Sequence, residues 1–218
     1  MVRHPTARSL RLSLDPTTGR ARLVIPRRAA LKPALAWAEG KTAWIEAQRA
    51  NLPQPIPFVS GLCLTVADEP MEIRWSEGPR RRIDATQGIL SLQGPQDTVA
   101  RRVEAWLRSR ALALLETETR AIAAQAGVTV DRVAIGDARG RWGSCSSSGT
   151  IRYSWRLILA PGFVRRATVA HEVAHRVHMN HSAAFHALAA ELLGEDPAPA
   201  HAWLRAYGAS LHWFGRSS

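Results

Sequence analysis

Two histidines one helical turn apart, with a glutamate beside the first, are the residues of this chain best suited to chemistry. They lie in the segment His171-Glu172-Val-Ala-His175. Residues four apart share one face of an α-helix, so His171 and His175 can aim their imidazoles at a single metal ion. Glu172 lies close enough to accept a proton from a water held by that ion. This spacing predicts a zinc site of the kind found in hydrolases.

A third metal ligand is required, because a catalytic zinc usually has three protein ligands and an open fourth position. His178 shares the helical face of the pair, but it would lie roughly 10 Å along the axis from His171, too far for bonds of about 2 Å to one ion. His181 is favoured if the helix breaks near Asn180, a residue type that tolerates the left-handed conformation. Ser182 is then predicted to be the N-cap of a new helix.

Strand and helix patterns before the histidines predict the elements that must position them. Three runs predict strands, at Arg132–Ile135, Arg141–Cys145 and Thr150–Leu159, and the Ser/Gly turn between the last two makes them a hairpin. Pro161 fits the first position of the helix that carries His171. We therefore expect a small sheet beside a metal-binding helix.

Two further helices are predicted after the third histidine. The apolar spacing that follows Ser182 is helical and stops at Gly194, a typical C-terminal glycine. Glu191, on this helix, is the alternative third ligand if His181 does not bind the metal. A last helix is expected around Trp203 and Tyr207.

The N-terminal region has the pattern of a β-sheet with one helix. Alternating apolar residues over 8–26 predict a hairpin, and helical spacing over 30–50 places Trp37 and Trp44 on one face, where we expect them to pack in the core. Short apolar runs between residues 62 and 92 predict strands that continue this hairpin as one antiparallel sheet. The triple arginine that begins at Arg80 is expected to cap a turn.

These patterns together predict an α+β fold in three parts. Residues 1–95 form an N-terminal β-rich subdomain with one helix. Residues 96–127 form a long connecting helix, for which Asp97 can act as a cap. Residues 128–218 form the metal-binding core with its small sheet.

Composition bounds the class of protein. A chain of 218 residues with 46% hydrophobic content supports a substantial core. No apolar run is long enough for a membrane span or a secretory signal, and Cys63 and Cys145 form no disulfide framework, so a cytoplasmic protein is expected. The formal charge of +11 favours anionic partners such as nucleic acid or nucleotides, although the abundance of arginine also fits a GC-rich genome.

Three segments carry a resemblance to a known family. They are Arg141-Trp-Gly-Ser-Cys145, the run from Ile151 to Leu157 followed by Ala160-Pro161, and His171–His175 with Asn180-His-Ser182. Together they resemble the YgjP-like metallopeptidase-domain proteins, relatives of the SprT-like zinc proteases. The resemblance implies a zincin-like core with one Zn²⁺ per chain, bound by the three histidines, and Glu172 as the catalytic base.

The resemblance also implies a substrate site on the predicted hairpin. In zincins an extended peptide typically lies alongside an edge strand, so the hairpin is the candidate for strand addition. The candidate substrate-binding residues are Arg141, Trp142, Gly143, Tyr153 and Arg156. An oxyanion donor is also required, and Arg141, Tyr153, Arg156 and Tyr207 all have suitable chemistry.

Three functions remain open at this point. A zinc-dependent metallopeptidase acting on polypeptide substrates fits the motif and the open metal position. A metal-dependent nucleoside triphosphate pyrophosphohydrolase keeps the metal and uses the arginines for phosphate, although the chain has no glycine-rich phosphate loop. A DNA-associated protein is the third, since SprT-like relatives act on proteins attached to DNA.

Overall fold

The fold is mixed α+β, with three small sheets and six α-helices among the residues that the structure describes. The structure is a computed structural model, and it describes residues 1–79 and 82–217. The chain divides into two compact units, an N-terminal unit Met1–Gln54 and a C-terminal unit Pro55–Ser218. Arg80 and Arg81 lie outside the described residues, so the turn predicted at the triple arginine stays a prediction.

The N-terminal unit is a three-stranded sheet covered by two short helices. Its sheet has the order β1-β3-β2, in which β3 pairs in parallel with β1 and antiparallel with β2. The hairpin predicted over residues 8–26 is therefore confirmed. Leu23, Ile25 and Ala34 form its small core. Its elements are β1 (Val2–His4), β2 (Arg11–Leu14), β3 (Ala21–Pro26), α1 (Leu31–Glu39) and α2 (Thr42–Ala50).

The two tryptophans of this unit are not in its core, contrary to the prediction. The expected single helix is interrupted at Gly40, which is the C-cap of the first helix and whose N–H donates a hydrogen bond to the carbonyl of Ala36. A seven-residue spacing places two side chains on one face only within a continuous helix, so the interruption removes the reason for the prediction. Trp37 is 38% exposed and Trp44 is 41% exposed.

The C-terminal unit begins with a separate sheet of mixed pairing. Its strand order is β4-β5-β7-β6, and β5 pairs in parallel with β7 while the other pairs are antiparallel. The prediction that these strands continue the N-terminal sheet as one antiparallel sheet is therefore wrong. The strands are β4 (Cys63–Val66), β5 (Glu69–Ser76), β6 (Arg82–Thr86) and β7 (Ile89–Gln93).

A long helix, α3 (Val99–Gln125), follows this sheet and confirms the helix predicted between residues 96 and 127. One residue in every four along it is buried, from Val99 through Leu107 and Leu115 to Ala123, because residues four apart share a face. Its N-cap is Thr98 and not Asp97, and no side chain caps the first turn. Gly127 has a φ of +63°, as expected of a residue just past a helix.

A second small sheet and three helices complete the C-terminal unit. β10 lies between its neighbours, antiparallel to β9 and parallel to β8. This pairing confirms the predicted hairpin and leaves β9 as an edge strand. The strand predicted over Thr150–Leu159 ends at Ser154, and its second half is a 3₁₀ helix (Trp155–Leu159). The elements are β8 (Arg132–Gly136), β9 (Gly143–Cys145), β10 (Thr150–Ser154), α4 (Gly162–Ala174), α5 (Ala183–Leu193) and α6 (Ala198–Leu211).

Two general expectations can be compared with this fold. Cys63 and Cys145 are both free. Among the described helices, none combines the length and the apolar character that a membrane crossing requires.

Candidate metal centre

The helix α4 carries the first histidine and the glutamate in its last turn. His171 and Glu172 lie within the helix, and His175 is its C-cap. Pro161 is the N-cap and not the first helical residue, so α4 begins one residue later than predicted. Nearly all of α4 is buried against the rest of the unit, with Glu172 only 5% exposed. The surroundings therefore fix the helix that aims these side chains.

The chain leaves the helix earlier than predicted and by a different turn. The N–H of Arg176 donates to the carbonyl of Val173 and the N–H of His178 donates to that of Ala174, which together form a tight turn. Asn180 does not adopt the left-handed conformation, which among the described non-glycine residues occurs at three positions elsewhere. Its side-chain Oδ1 instead accepts a hydrogen bond from the N–H of Ser182 over 3.2 Å.

Two helix-end predictions for α5 are confirmed. Ser182 Oγ accepts a hydrogen bond from the N–H of Phe185 over 3.3 Å, which makes Ser182 the N-cap. Gly194 ends the helix in the left-handed conformation, with a φ of +77°. The serine cap fixes where α5 starts, and because His181 directly precedes Ser182, it also helps to fix the backbone position of His181.

Three imidazoles meet where α4 ends and α5 begins. Each of His171, His175 and His181 offers a nitrogen within 4.8 Å of the nitrogens of the others, and His171 Nε2 lies 3.3 Å from His181 Nε2. Among the described residues, neither His178 nor Glu191 belongs to this cluster. Tetrahedral ligands about 2 Å from one zinc ion lie about 3.3 Å from one another, which is the separation of His171 and His181.

The carbonyl of His178 fixes the orientation of one imidazole. His175 Nδ1 lies 3.0 Å from the oxygen of His178. A carbonyl oxygen only accepts, so Nδ1 must carry the proton and Nε2 keeps a free lone pair. Such a hydrogen bond to the distant nitrogen is typical of metal-binding histidines. His178 thus contributes through its backbone.

Phe185 supports all three imidazoles from one side, and the sequence pattern indicated only a packing role for it. Its fully buried ring stacks on His175 with centroids 4.4 Å apart. Its centroid lies 4.9 Å from that of His171 and 4.8 Å from that of His181, both edge-on. The ring restricts the rotamers of the ligands, so part of their geometry is fixed before any metal binds.

Burial and the proximity of other imidazoles favour the neutral form of His171 and His175. Burial lowers the pKa of His171 to about 4, and the neighbouring His175 and His181 act in the same direction. Burial also lowers the pKa of His175. A metal binds only neutral imidazole, so these ligands need to release little or no proton on binding near pH 7. The donor set therefore fits a zinc ion.

Glu172 and its neighbour His171 both line a small groove. Burial raises the pKa of Glu172 to about 7, although the positive charge of Arg141 opposes this. The groove has a volume of about 220 Å³. It is lined by Arg141, Trp142 and Gly143 before β10, by Thr168, His171 and Glu172 on α4, and by Ala200, His201 and Leu204 on α6.

A glycine allows the carboxylate of Glu172 to lie against the edge strand. A Cβ at Gly143 would overlap Oε1, Cδ and Cγ of Glu172. Because glycine has no Cβ, Gly143 lets β9 approach the carboxylate this closely. The hairpin pattern predicted the strand, but nothing in its local pattern indicates this approach.

The remaining predicted substrate residues have other contacts. Tyr153 is 1% exposed, and its hydroxyl lies 3.0 Å from Thr119 Oγ1. Arg156 is buried, pairs with Asp137 at 2.7 Å and donates to the carbonyl of Leu211. The structure brings Arg141, Trp142 and Gly143 to the groove but places Tyr153 and Arg156 in the core.

Of two aromatic side chains on α6, the one that the sequence suggested for the site lies outside the groove, and one that the sequence did not indicate lines it. Tyr207, a candidate oxyanion donor, is 56% exposed, packs on Trp203 and does not line the groove. His201 does line it, with its ring centroid 6.5 Å from that of His171. His201 lies outside every recognised motif, so only the fold brings it to the site.

Three imidazoles beside a buried carboxylate form the kind of centre that a metal-dependent hydrolase uses. The chain matches the family model described as YgjP-like, metallopeptidase domain, over residues 8–207. It therefore belongs to the YgjP-like family, as the motifs suggested, and this family membership points to a metal-dependent hydrolase. No curated protein and no solved structure matches the chain.

Proposed function

We propose that this protein is a zinc-dependent metallopeptidase with a zincin-like core and an HExxH-x₅-H site. His171, His175 and His181 hold the ion, and Glu172 is the general base. The observation that carries the proposal is the convergence of three imidazole nitrogens, one of which belongs to a histidine that lines the same groove as the buried Glu172.

The chemistry divides between the ion and the groove. When bound by the three histidines, zinc would supply a Lewis acid that can acidify a water molecule and polarise a carbonyl. The carboxylate of Glu172 would accept a proton from the attacking water and transfer it to the leaving amine. Burial keeps this carboxylate away from bulk solvent, and Gly143 lets it lie directly beside the edge strand.

An extended polypeptide is the substrate that the groove suits best. β9 is an edge strand, so one of its sides has backbone N–H and C=O groups that a peptide strand can pair with. The strand borders the groove through Gly143, so such a peptide would pass beside Glu172. Arg141 and His201 line the same groove and are the candidate donors to the developing oxyanion.

The test compares Glu172→Gln with the native protein after both are loaded with zinc. Casein cleavage should fall by about 10²-fold or more, because the base is lost while all three imidazoles remain. Zinc content should be unchanged. Glu191→Gln is the matched control, since Glu191 is exposed on α5 outside the triad, and it should keep full activity.

The zinc ligands are tested separately by a pair of histidine variants. His181→Ala should weaken zinc binding by more than about 100-fold, because a ligand is lost. His178→Ala should keep the zinc, because its contribution is a backbone carbonyl that the variant retains. Equal zinc affinity in both variants would remove His181 from the ligand set.

The same preparations test the nucleotide alternative. A pyrophosphohydrolase would release pyrophosphate from nucleoside triphosphates and leave casein intact, and Glu172→Gln would abolish that release. Hydrolysis of triphosphates alone would therefore replace the peptidase proposal while keeping the metal centre.

A further inference from the structure

The N-terminal unit carries most of the positive charge of the protein. Its 54 residues contain ten basic and three acidic side chains, which is an excess of seven out of the eleven positive charges of the whole chain. Among the described residues, no ion pair involves a basic side chain of this unit. The charge is therefore concentrated and not neutralised within the described part of the chain.

Part of this charge lies in a groove on the outer face of the sheet. Leu23 and Ile25 point into the small core, so their neighbours on β3 point outward. The register pairs Arg11 with Val24 and Ser13 with Arg22, which places both arginines on the outer face. The groove has a volume of about 460 Å³. Its polar lining includes Thr6, Arg8, Ser9, Arg11, Ser13 and Arg22, and we call it the arginine groove.

The three arginines of this groove have no partner within the described chain. Arg8, Arg11 and Arg22 are exposed and form no side-chain hydrogen bond or ion pair. Other arginines of the same unit do have partners: Arg3 donates to the carbonyl of Arg27 and Arg49 to that of Gly19. Like charges on neighbouring strands repel, so the cluster opposes folding unless an anion neutralises it.

We propose that the arginine groove binds the phosphate backbone of nucleic acid. Guanidinium groups and hydroxyls are the usual partners of backbone phosphates. Arg11 and Arg22 are diagonal neighbours on paired strands, about 7–8 Å apart, a separation similar to that of successive phosphates along a strand. No Phe, Tyr or Trp lines the groove and His4 is its one aromatic ring, so it lacks a platform for stacking successive bases and contacts the backbone without reading sequence.

Other anionic partners fit the groove less well. An anionic membrane is usually bound with large apolar side chains that enter the lipid, and the apolar lining here is limited to Ala7 and Val24. A small free anion would be screened by solvent, since the arginines are exposed. An acidic peptide strand would pair with a sheet edge, whereas the groove lies on a sheet face.

The test measures binding of a short fluorescent DNA duplex to the full-length protein by fluorescence anisotropy over a range of salt. The variant Arg8→Gln/Arg11→Gln/Arg22→Gln should bind at least about tenfold more weakly at low salt, with a salt slope shallower by up to about three. A control variant, Arg27→Gln/Arg28→Gln/Lys32→Gln, removes the same charge from exposed positions of the same unit outside the groove. It should stay close to the native protein.

A gain-of-function variant and a chelator complete the design. Ser9→Arg adds a cation to the groove and should tighten binding and steepen the salt slope by about one. Binding should persist in a chelator, because no residue of the groove belongs to the metal centre. Equal loss in the two triple variants would show a general charge effect and overturn the proposal. Absence of binding, or stronger binding to phosphatidylserine vesicles or polyglutamate than to DNA, would also overturn it.

Discussion

Asp68 Oδ1 accepts a hydrogen bond from the backbone N–H of Gly162 over 2.6 Å, across 94 positions of sequence. Asp68 lies in the turn between β4 and β5, and Gly162 is the first residue of α4. The helix has no cap from its own N-cap side chain, because that residue is Pro161. A carboxylate from the four-stranded sheet therefore caps the helix that carries the metal centre. Asp68 Oδ2 also accepts from Arg165 over 3.3 Å.

Removing this remote cap should destabilise the protein. We expect Asp68→Ala to lower the free energy of unfolding by about 1–2 kcal/mol, because an N–H at the positive end of the helix loses its acceptor. Urea unfolding followed by circular dichroism measures the change. Asp84→Ala is the control, since the contacts of Asp84 are an exposed ion pair at 3.8 Å and an exposed hydrogen bond from Thr86 Oγ1 at 3.5 Å, and it should change stability by less than about 0.5 kcal/mol. Similar losses in both variants would remove the capping role of Asp68.

The approach of β9 to Glu172 gives a second prediction. We expect Gly143→Ala to lower peptidase activity by about 10²-fold, because the new methyl group displaces the carboxylate from its position. Zinc content should be unchanged, since the imidazoles lie elsewhere. Gly136→Ala tests the same change in β8 of the same sheet, where the nearest atom to the new Cβ is Arg152 Cδ at 3.5 Å, an ordinary contact. Full activity in both variants would contradict this account of Gly143.

Local signals in the sequence predict much of the secondary structure around the site. The four-residue period of α3, the cap at Ser182 and the stop at Gly194 each depend on residues that are close together in the chain. The spacing of His171 and His175 is equally local, which is why the amino-acid sequence alone indicates the candidate ligand set. Elements with such signals can be located to within a few residues.

Contacts between distant segments could not be predicted in the same way. The parallel pairing of β5 with β7 places the intervening strand at the sheet edge, and no local pattern specifies this. The ring of Phe185 beneath the imidazoles and the position of His201 in the groove depend on how three helices pack. The prediction for Trp37 is wrong for a related reason, since seven-residue spacing has meaning only in an uninterrupted helix.

A buried histidine near the groove should make stability depend on pH. Burial lowers the pKa of His212 to about 4, and the charge of Arg156 adds to this while Asp137 opposes it. The unfolded chain therefore binds a proton, near pH 6.5 and below, that the folded chain excludes. The contribution to stability is complete above that pH and decreases as the pH falls towards 4. We expect a loss of about 2 kcal/mol between pH 7 and pH 5.

The contribution of His212 is isolated by comparison with His212→Gln. Urea unfolding at pH 7 and pH 5 gives, for each protein, the change in the free energy of unfolding between the two pH values. This change should be about 2 kcal/mol smaller in the variant than in the native protein. The other titrating groups are common to both proteins and cancel in the comparison. The same pH dependence in native protein and variant would mean that His212 is protonated as readily in the folded chain as in the unfolded one.

His201 gives the prediction that bears most directly on catalysis. It lines the groove together with Gly143, and among the described residues it is outside the cluster of three histidines that could hold a metal. We expect His201→Gln to lower kcat for a peptide substrate by about 10²-fold with little change in KM, because its hydrogen bond forms to charge that develops in the transition state. A phosphonate peptide, which mimics the tetrahedral geometry, should lose affinity in parallel. His186→Gln is the control, since His186 does not line the groove. Loss of zinc in His201→Gln would instead make His201 a ligand, and unchanged kcat would leave Arg141 as the candidate donor.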